Sequence, residues 1–226
     1  MSLTAVAFDL DSTLSYYPLS TREVMQQAFA AVDAADRISD FEEAAARYDA
    51  AWAETERRSA SVLETRRTLF TKLLGDLDPD LCDRLAAAYE RIRQESGVRL
   101  YDGARRLLDR LKPHVRLGLL TNGSSEMQRP KLRSLGIDSA FDVLVIAGDH
   151  GVYKPERQIF DLLSKQLGCP PEQTLFVGDN YEADIRGAHE AGMRTAWLRH
   201  PGVEPPAAPI HEIELTRIDE LEGQLL

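Results

Sequence analysis

Residues 3–13 read Leu3-Thr4-Ala5-Val6-Ala7-Phe8-Asp9-Leu10-Asp11-Ser12-Thr13. The apolar run over 3–10 has strand length and ends in acids, which reads as a buried strand. The next eighty residues are of another kind. Ser20 and Glu23 have capping-box spacing, ahead of Val24, Met25, Ala28, Phe29 and Val32 at helical spacing. Asp40 can cap a second helix carrying Phe41, Ala44, Tyr48, Trp52 and Thr55 on one stripe. Ser61 and Glu64 open a third, with Leu69, Phe70 and Leu73, that stops at Gly75. Asp78-Pro79 opens a fourth, with Leu81, Leu85, Ala88 and Ile92. Four amphipathic helices in a row predict a small bundle.

From about residue 98 helices and strands alternate. Helix 103–112 precedes the apolar run Val115–Leu120, and helix 130–135, closed by Gly136, precedes Val143–Ala147. Helix 156–167, closed by Gly168, precedes Thr174–Val177, and helix 182–191, closed by Gly192, precedes Thr195–Leu198. The Pro-rich stretch 200–209 reads as a surface loop, with a weak strand at 212–215 and a short helix at 217–225 after it. This alternation predicts an α/β fold with parallel strands covered on both faces. The first strand has no sheet of its own unless it joins this later one. The helical block is then an insertion: 1–14 and 96–226 form the core, and 15–95 form a separate helical domain.

Composition narrows the function classes. The chain has 226 residues, 43% of them hydrophobic and 28% charged, with a formal net charge of −10. That is the make-up of a globular protein. An acidic pI near 5.0 argues against a nucleic-acid polymer as partner. Small anionic substrates remain open, because a metal ion and one lysine reverse the sign locally. No run of about 18 apolar residues predicts a membrane span. The opening residues lack a basic region and meet two Asp at once, unlike a signal peptide. Cys82 and Cys169 fit no metal spacing and read as reduced thiols of a cytoplasmic protein. The five histidines are scattered and predict no zinc site.

In open α/β sheets ligands bind beyond the carboxyl ends of the strands. Polar signatures close three of the predicted strands: Asp9-Leu10-Asp11-Ser12-Thr13, Thr121-Asn122-Gly123, and Gly178-Asp179-Asn180 with Asp184 beyond. Tyr153-Lys154-Pro155 lies between the last two. Asp9 and Asp179 at neighbouring strand ends offer the hard oxygen ligands that suit Mg²⁺. Asp9 has the side chain for nucleophilic attack on phosphorus. Asp11, which would share the face of Asp9 in a straight strand, can protonate a leaving alkoxide and then deprotonate water. The Thr121 hydroxyl and the Asn122 backbone N–H can bind phosphoryl oxygens, and Lys154 puts positive charge where negative charge accumulates. Each signature alone is weak, since Asp-x-Asp is common and Thr-Asn-Gly, Lys-Pro and Gly-Asp-Asn are ordinary turn sequences. Their order and their placement after strands in one chain carry the weight.

In that order they resemble the haloacid dehalogenase superfamily, whose pattern is Asp-x-Asp-x-Thr, then Thr or Ser, then Lys, then Gly-Asp with a further Asp. The matching positions are Asp9, Asp11, Thr13, Thr121, Lys154, Asp179 and Asp184. The resemblance spans nearly the whole chain. It implies a Rossmann-like sheet in the order 5-4-1-2-3, core strands counted along the chain. It implies Mg²⁺ held by Asp9, the main-chain carbonyl of Asp11, and Asp179, with Asp184 close by. The dehalogenase branch lacks an acid two residues after the nucleophile, so Asp11 points to the phosphatases. A helical insertion between the first and second motifs is similar to the subfamily with an α-helical cap, which acts on small metabolites.

The expected reaction is Mg²⁺-dependent hydrolysis of a small phosphorylated metabolite, nucleotide- or sugar-phosphate-like, through an aspartyl-phosphate, by a monomer or homodimer. A β-phosphoglucomutase-like mutase is the alternative. A receiver-like phospho-Asp switch is remote, since receivers lack both the second acid and the helical insertion. Thr13, Asn122 and Gly123 are expected at the phosphate, and Tyr16 and Tyr17, just after the nucleophile loop, at the pocket wall. Arg57, Arg58, Arg66 and Arg67 are candidates for a second anionic group, although charged helix faces are ordinarily just solvated. Tyr48 and Trp52 lie on the apolar stripe, where core packing outweighs substrate stacking.

Overall fold

The computed structural model describes residues 3–75 and 78–226. The chain divides into two compact units, Met1–Tyr16 with Leu100–Leu226, and Tyr17–Arg99.

The first unit begins with β1 (Ala5–Phe8), whose four residues have no solvent exposure. Burial of a side chain like Phe8 contributes about 2–3 kcal/mol, so this run sits at the centre of the sheet. A short strand, β2 (Ser15–Tyr16), comes directly after the loop that follows β1.

The second unit is helical. Ser20 caps α1 (Thr21–Ala31) in a full capping box with Glu23. The Asp40 carboxylate accepts the Glu42 and Glu43 amides at the start of α2 (Phe41–Arg58). Ser61 caps α3 (Val62–Leu74), and Gly75, at φ 76°, ends it. Asp78 caps α4 (Pro79–Ser96), with proline in its first turn. Each cap answers amides that the helix itself leaves unpaired. The apolar stripes meet in one core of Val24, Met25, Phe29, Tyr48, Phe70 and Leu85 among others. Tyr48 is buried there and Trp52 partly so, as the stripe predicted.

Back in the first unit, β3 (Arg99–Leu100), which pairs with β2, leads to α5 (Ala104–Leu111), β4 (Arg116–Thr121), α6 (Ser125–Leu135), β5 (Val143–Ile146), α7 (Arg157–Leu167) and β6 (Thr174–Gly178). A π-helical stretch, Tyr181–Arg186, runs into α8 (Gly187–Glu190), then β7 (Arg194–Leu198), β8 (Ile213–Leu215) and α9 (Glu222–Leu225). The six-stranded sheet has the order β5-β4-β1-β6-β7-β8. Counted along the core this is the 5-4-1-2-3 order read from its other end, with β8 added beyond the fifth strand. Its pairs are parallel, so every carboxyl end lies along one edge. Apolar clusters cover both faces, one around Val6, Phe8, Leu107, Leu119 and Val177, the other around Ala7, Val145, Phe160, Leu163 and Phe176.

Two helices differ from the sequence reading. The helix expected over 130–135 begins at Ser125 and carries Pro130 inside it. At the sixth helical position the proline removes one internal hydrogen bond and crowds the carbonyl four residues back, a cost that α6 carries. The helix expected over 182–191 is a π-helical turn over its first half, to Arg186, and α-helical only from Gly187 to Glu190. Such turns frequently occur at functional sites.

Candidate active site

The parallel register brings the motifs together. Phe8 pairs with Leu119 on one side and Val177 on the other, so Asp9 emerges between the ends of β4 and β6. The Asp9 amide donates to the Val177 carbonyl at 2.9 Å, continuing the ladder one residue past β1. Asp9 is 6% exposed.

Lys154 is the hub of the site. The residue is 4% exposed, and its ammonium donates to Asp9 Oδ1 at 2.6 Å and to the Leu120 carbonyl at 3.2 Å. Asp184 Oδ1 lies 2.7 Å from the same nitrogen, an ion pair without hydrogen-bond alignment. Asp184 Oδ2 accepts the Asn180 amide at 3.0 Å, which the π-helical turn makes possible. A Cβ on Gly178 would collide with the Asp184 carboxylate, so only glycine lets that acid pack against the end of β6. Thr13, fully buried, donates to Asp179 Oδ1 and accepts the Asp179 amide, both at 3.1 Å. The Trp197 indole fixes the Asp179 carbonyl from β7 at 2.8 Å.

One oxygen from each of Asp9, Asp179 and Asp184 lies within 4.8 Å of the other two. Burial pushes the Asp9 carboxyl up to about 7; Lys154 opposes the shift, and Asp184 and Asp11 add to it. Burial, then the Asp9 and Asp184 charges, push Asp179 up to about 8. Burial pulls Lys154 down, but the Asp184 and Asp9 carboxylates outweigh it and hold the ammonium above its ordinary value. When all three carboxyls are ionised, they outnumber the one ammonium by two negative charges. A divalent cation on hard oxygen donors cancels that excess, so the residues present fit such an ion.

The remaining predicted residues fall in different places. Thr121 is buried at the end of β4, its hydroxyl 3.1 Å from the Asn122 carbonyl. The Asn122 side chain takes both backbone groups of Lys154, accepting its amide at 2.9 Å and donating to its carbonyl at 3.2 Å. Its side chain therefore positions the lysine loop, a role its sequence context as a turn did not announce. Gly123 accepts the Gly148 amide at 3.0 Å. Tyr16 packs on Tyr101, ring centroids 4.9 Å apart, beside a cavity of about 580 Å³ that His200 and Arg217 also line. Tyr17 belongs to the helical unit, where the Arg93 guanidinium lies 4.7 Å over its ring. Arg66 is no solvated face residue. It is buried against Glu90 at 2.6 Å and Tyr48 at 3.0 Å, over the Tyr89 ring at 4.4 Å. Arg58 and Arg67 are exposed and pair with Glu54 and Asp83, while Arg57 is exposed.

Asp11 does not extend the strand face of Asp9. The chain turns at once: the Ser15 amide returns to the Leu10 carbonyl and Ser12 sits at φ 62°. Left-handed backbone is costly for serine, and contacts on both sides hold it. The Ser12 amide donates to the Ser15 carbonyl at 2.7 Å, and His200 Nε2 meets the Ser12 carbonyl at 2.6 Å. The Asp11 carboxylate meets two α6 residues that the sequence reading missed, Gln128 and Lys131. Starting the helix at 130 left Gln128 in a loop; starting it at 125 puts both on one face.

Residues 3–192 match the haloacid dehalogenase-like hydrolase family model. The chain belongs to that family and is a hydrolase. It is 30% identical to pyrimidine 5'-nucleotidase YjjG of Escherichia coli, over 98% of this chain and 96% of that protein. It is 32% identical to glyceraldehyde 3-phosphate phosphatase of Methanopyrus kandleri, over 87% of this chain and 84% of that one. The magnesium-bound structure of the HAD-hydrolase YfnB from Bacillus subtilis superposes with a TM-score of 0.74 at 26% identity, covering 100% and 99% of the two chains. No helix among the described residues is long and apolar enough to cross a membrane.

Proposed function

We propose that this hydrolase cleaves the phosphoester of a small phosphorylated metabolite, nucleotide- or sugar-phosphate-like, with Mg²⁺ as its ion. The enzyme is a phosphatase of its family, as its similarity to a nucleotidase and a sugar-phosphate phosphatase supports. The observation that carries the reading is the buried Lys154 bridging Asp9 and Asp184 beside Asp179, with a second acid, Asp11, on the adjoining turn.

Asp9 attacks phosphorus: one oxygen–phosphorus bond forms, the ester oxygen–phosphorus bond breaks, and Asp11 delivers its proton to the leaving alkoxide. Asp11, now a carboxylate, takes a proton from water, whose oxygen attacks the phosphorus and returns Asp9 to its carboxylate as phosphate leaves. Lys154 holds Asp9 in place and neutralises charge on the phosphoryl oxygens, with the Thr121 hydroxyl and Asn122 amide as further donors. Mg²⁺, held by Asp9, the Asp11 carbonyl and Asp179 with Asp184 alongside, would supply charge neutralisation for the transferring phosphoryl group. Helices 15–95 are read as the cap that selects the leaving group. The setting this reading implies is a cytoplasmic monomer or homodimer.

The test is phosphate release across some tens of phosphorylated metabolites with Mg²⁺ present. Selective release from nucleoside or sugar monophosphates is expected. Interconversion of sugar phosphates without phosphate release would mark a mutase instead.

The metal role has a test that needs no substrate. Asp9 and Asp179 hold folded-state values above the ordinary 3.8, so their contribution to stability is complete at low pH and lost as pH rises through about 7 and 8. The metal-free melting temperature should therefore fall between pH 5 and pH 8. Mg²⁺ should raise it, and by more at pH 8 than at pH 5, when both are measured by calorimetry. Equal shifts at the two pH values would contradict the carboxylate site.

A further inference from the structure

Asp11 is the acid that the phosphatase reading asks to move protons, yet its own backbone turn does not fix where its carboxylate points. α6 does. Lys131 Nζ donates to Asp11 Oδ1 at 2.5 Å, and Gln128 Nε2 donates to Asp11 Oδ2 at 3.0 Å. Gln128 also donates to the Asn122 carbonyl at 2.9 Å, tying the same amide to the loop after β4.

Three features set this apart from a surface ion pair. The partners stand three residues apart on a helix, so they share a face. Both are buried, Gln128 at 4% and Lys131 at 5% exposure, while the Asp11 side chain is 41% exposed. The donors are thus fixed and the carboxylate stays open on its far side. They also grip different oxygens. One hydrogen bond leaves a carboxylate free to rotate about its last torsion; two donors on separate oxygens fix its plane. Each oxygen keeps a second lone pair, so one of them can carry the proton while both donors stay in place. Burying an ammonium here, rather than an apolar side chain, is costly unless it is compensated, and the ionised Asp11 carboxylate contributes to that compensation.

We infer that Gln128 and Lys131 are positioning residues that hold the Asp11 carboxylate in the orientation from which it protonates the leaving group and then takes the proton of water. The inference rests on the phosphatase reading above. The expected signature is sensitivity to the leaving group. A dinitrophenolate departs without a proton, whereas an alkoxide needs one.

The experiment compares wild-type enzyme with Lys131→Met, Gln128→Leu and Lys131→Arg, each checked for folding by circular dichroism and thermal melting. The substrates are 2,4-dinitrophenyl phosphate in stopped flow and an alkyl phosphate at steady state. In Lys131→Met and Gln128→Leu, alkyl phosphate turnover should fall by about 10- to 100-fold. The dinitrophenolate burst should stay within about threefold of wild type and give way to slow turnover, because loss of an oriented acid slows only the steps that move a proton. Lys131→Arg, which keeps a cationic donor, should recover most of the alkyl turnover. Burst and alkyl turnover falling in equal measure, or neither changing, would overturn the inference and leave the phosphatase reading standing. Wild-type enzyme that releases no phosphate from either ester would overturn both.

Discussion

Asp9→Asn is expected to remove phosphate release from aryl and alkyl phosphates alike, by at least about 10⁴-fold, without unfolding the protein. Asparagine has the shape of the carboxylate but neither its charge nor its nucleophilicity. Its amide oxygen can still accept from Lys154, whose second partner, Asp184, is untouched. The substitution also removes one of three crowded carboxylates, so the metal-free melting temperature at pH 8 should not fall. Turnover by Asp9→Asn near the wild-type rate would mean that water, not this side chain, attacks phosphorus.

Asp11→Asn is expected to lower steady-state turnover by about 100-fold or more, a barrier increase of about 2.7 kcal/mol. Its effect differs in kind from that of Asp9→Asn. With a nitrophenyl ester the first step needs little acid, so the variant should show a burst of one nitrophenolate per enzyme and then stall. The stall reports the missing base for attack of water on the phospho-enzyme. Asparagine's one oxygen can still accept the Lys131 ammonium though it loses the bond from Gln128, and the backbone bonds Ser15 to Leu10 and Ser12 to Ser15 should keep the turn after β1 in shape. A variant that turns over at the wild-type rate with no burst would remove Asp11 from both proton transfers.

Much of this architecture is legible in the chain because local and tertiary signals agree. The four helices of Tyr17–Arg99 each begin at a side chain that caps them: Ser20, Asp40, Ser61 and Asp78. The strands that carry Asp9, Thr121 and Asp179 are apolar runs that end at those polar residues, and a parallel sheet places such ends along one edge. The illegible parts are those where a distant contact overrules a local rule. Pro130 reads as a helix start, yet α6 begins five residues earlier, at Ser125. That difference left Gln128 in a loop, and the place of both Gln128 and Lys131 beside Asp11 depends on a contact across more than a hundred residues. The stretch after Asp179 has ordinary helical composition, and the π-helical form shows only once Asp184 closes on Lys154 and on the Asn180 amide. Arg66 reads as a surface charge because its partners, Tyr48, Tyr89 and Glu90, lie on other helices. His200 sits in a loop that carries no local mark of its contact with the Ser12 carbonyl.

The most direct test is to quench wild-type enzyme in acid during turnover of an aryl phosphate with Mg²⁺, digest it, and locate any phosphoryl adduct by mass spectrometry. The adduct should lie on the peptide beginning at the N-terminus, at Asp9, and be absent from Asp9→Asn. Phosphate released by an enzyme that never carries a phosphoryl group, or carries it on another residue, would contradict the account.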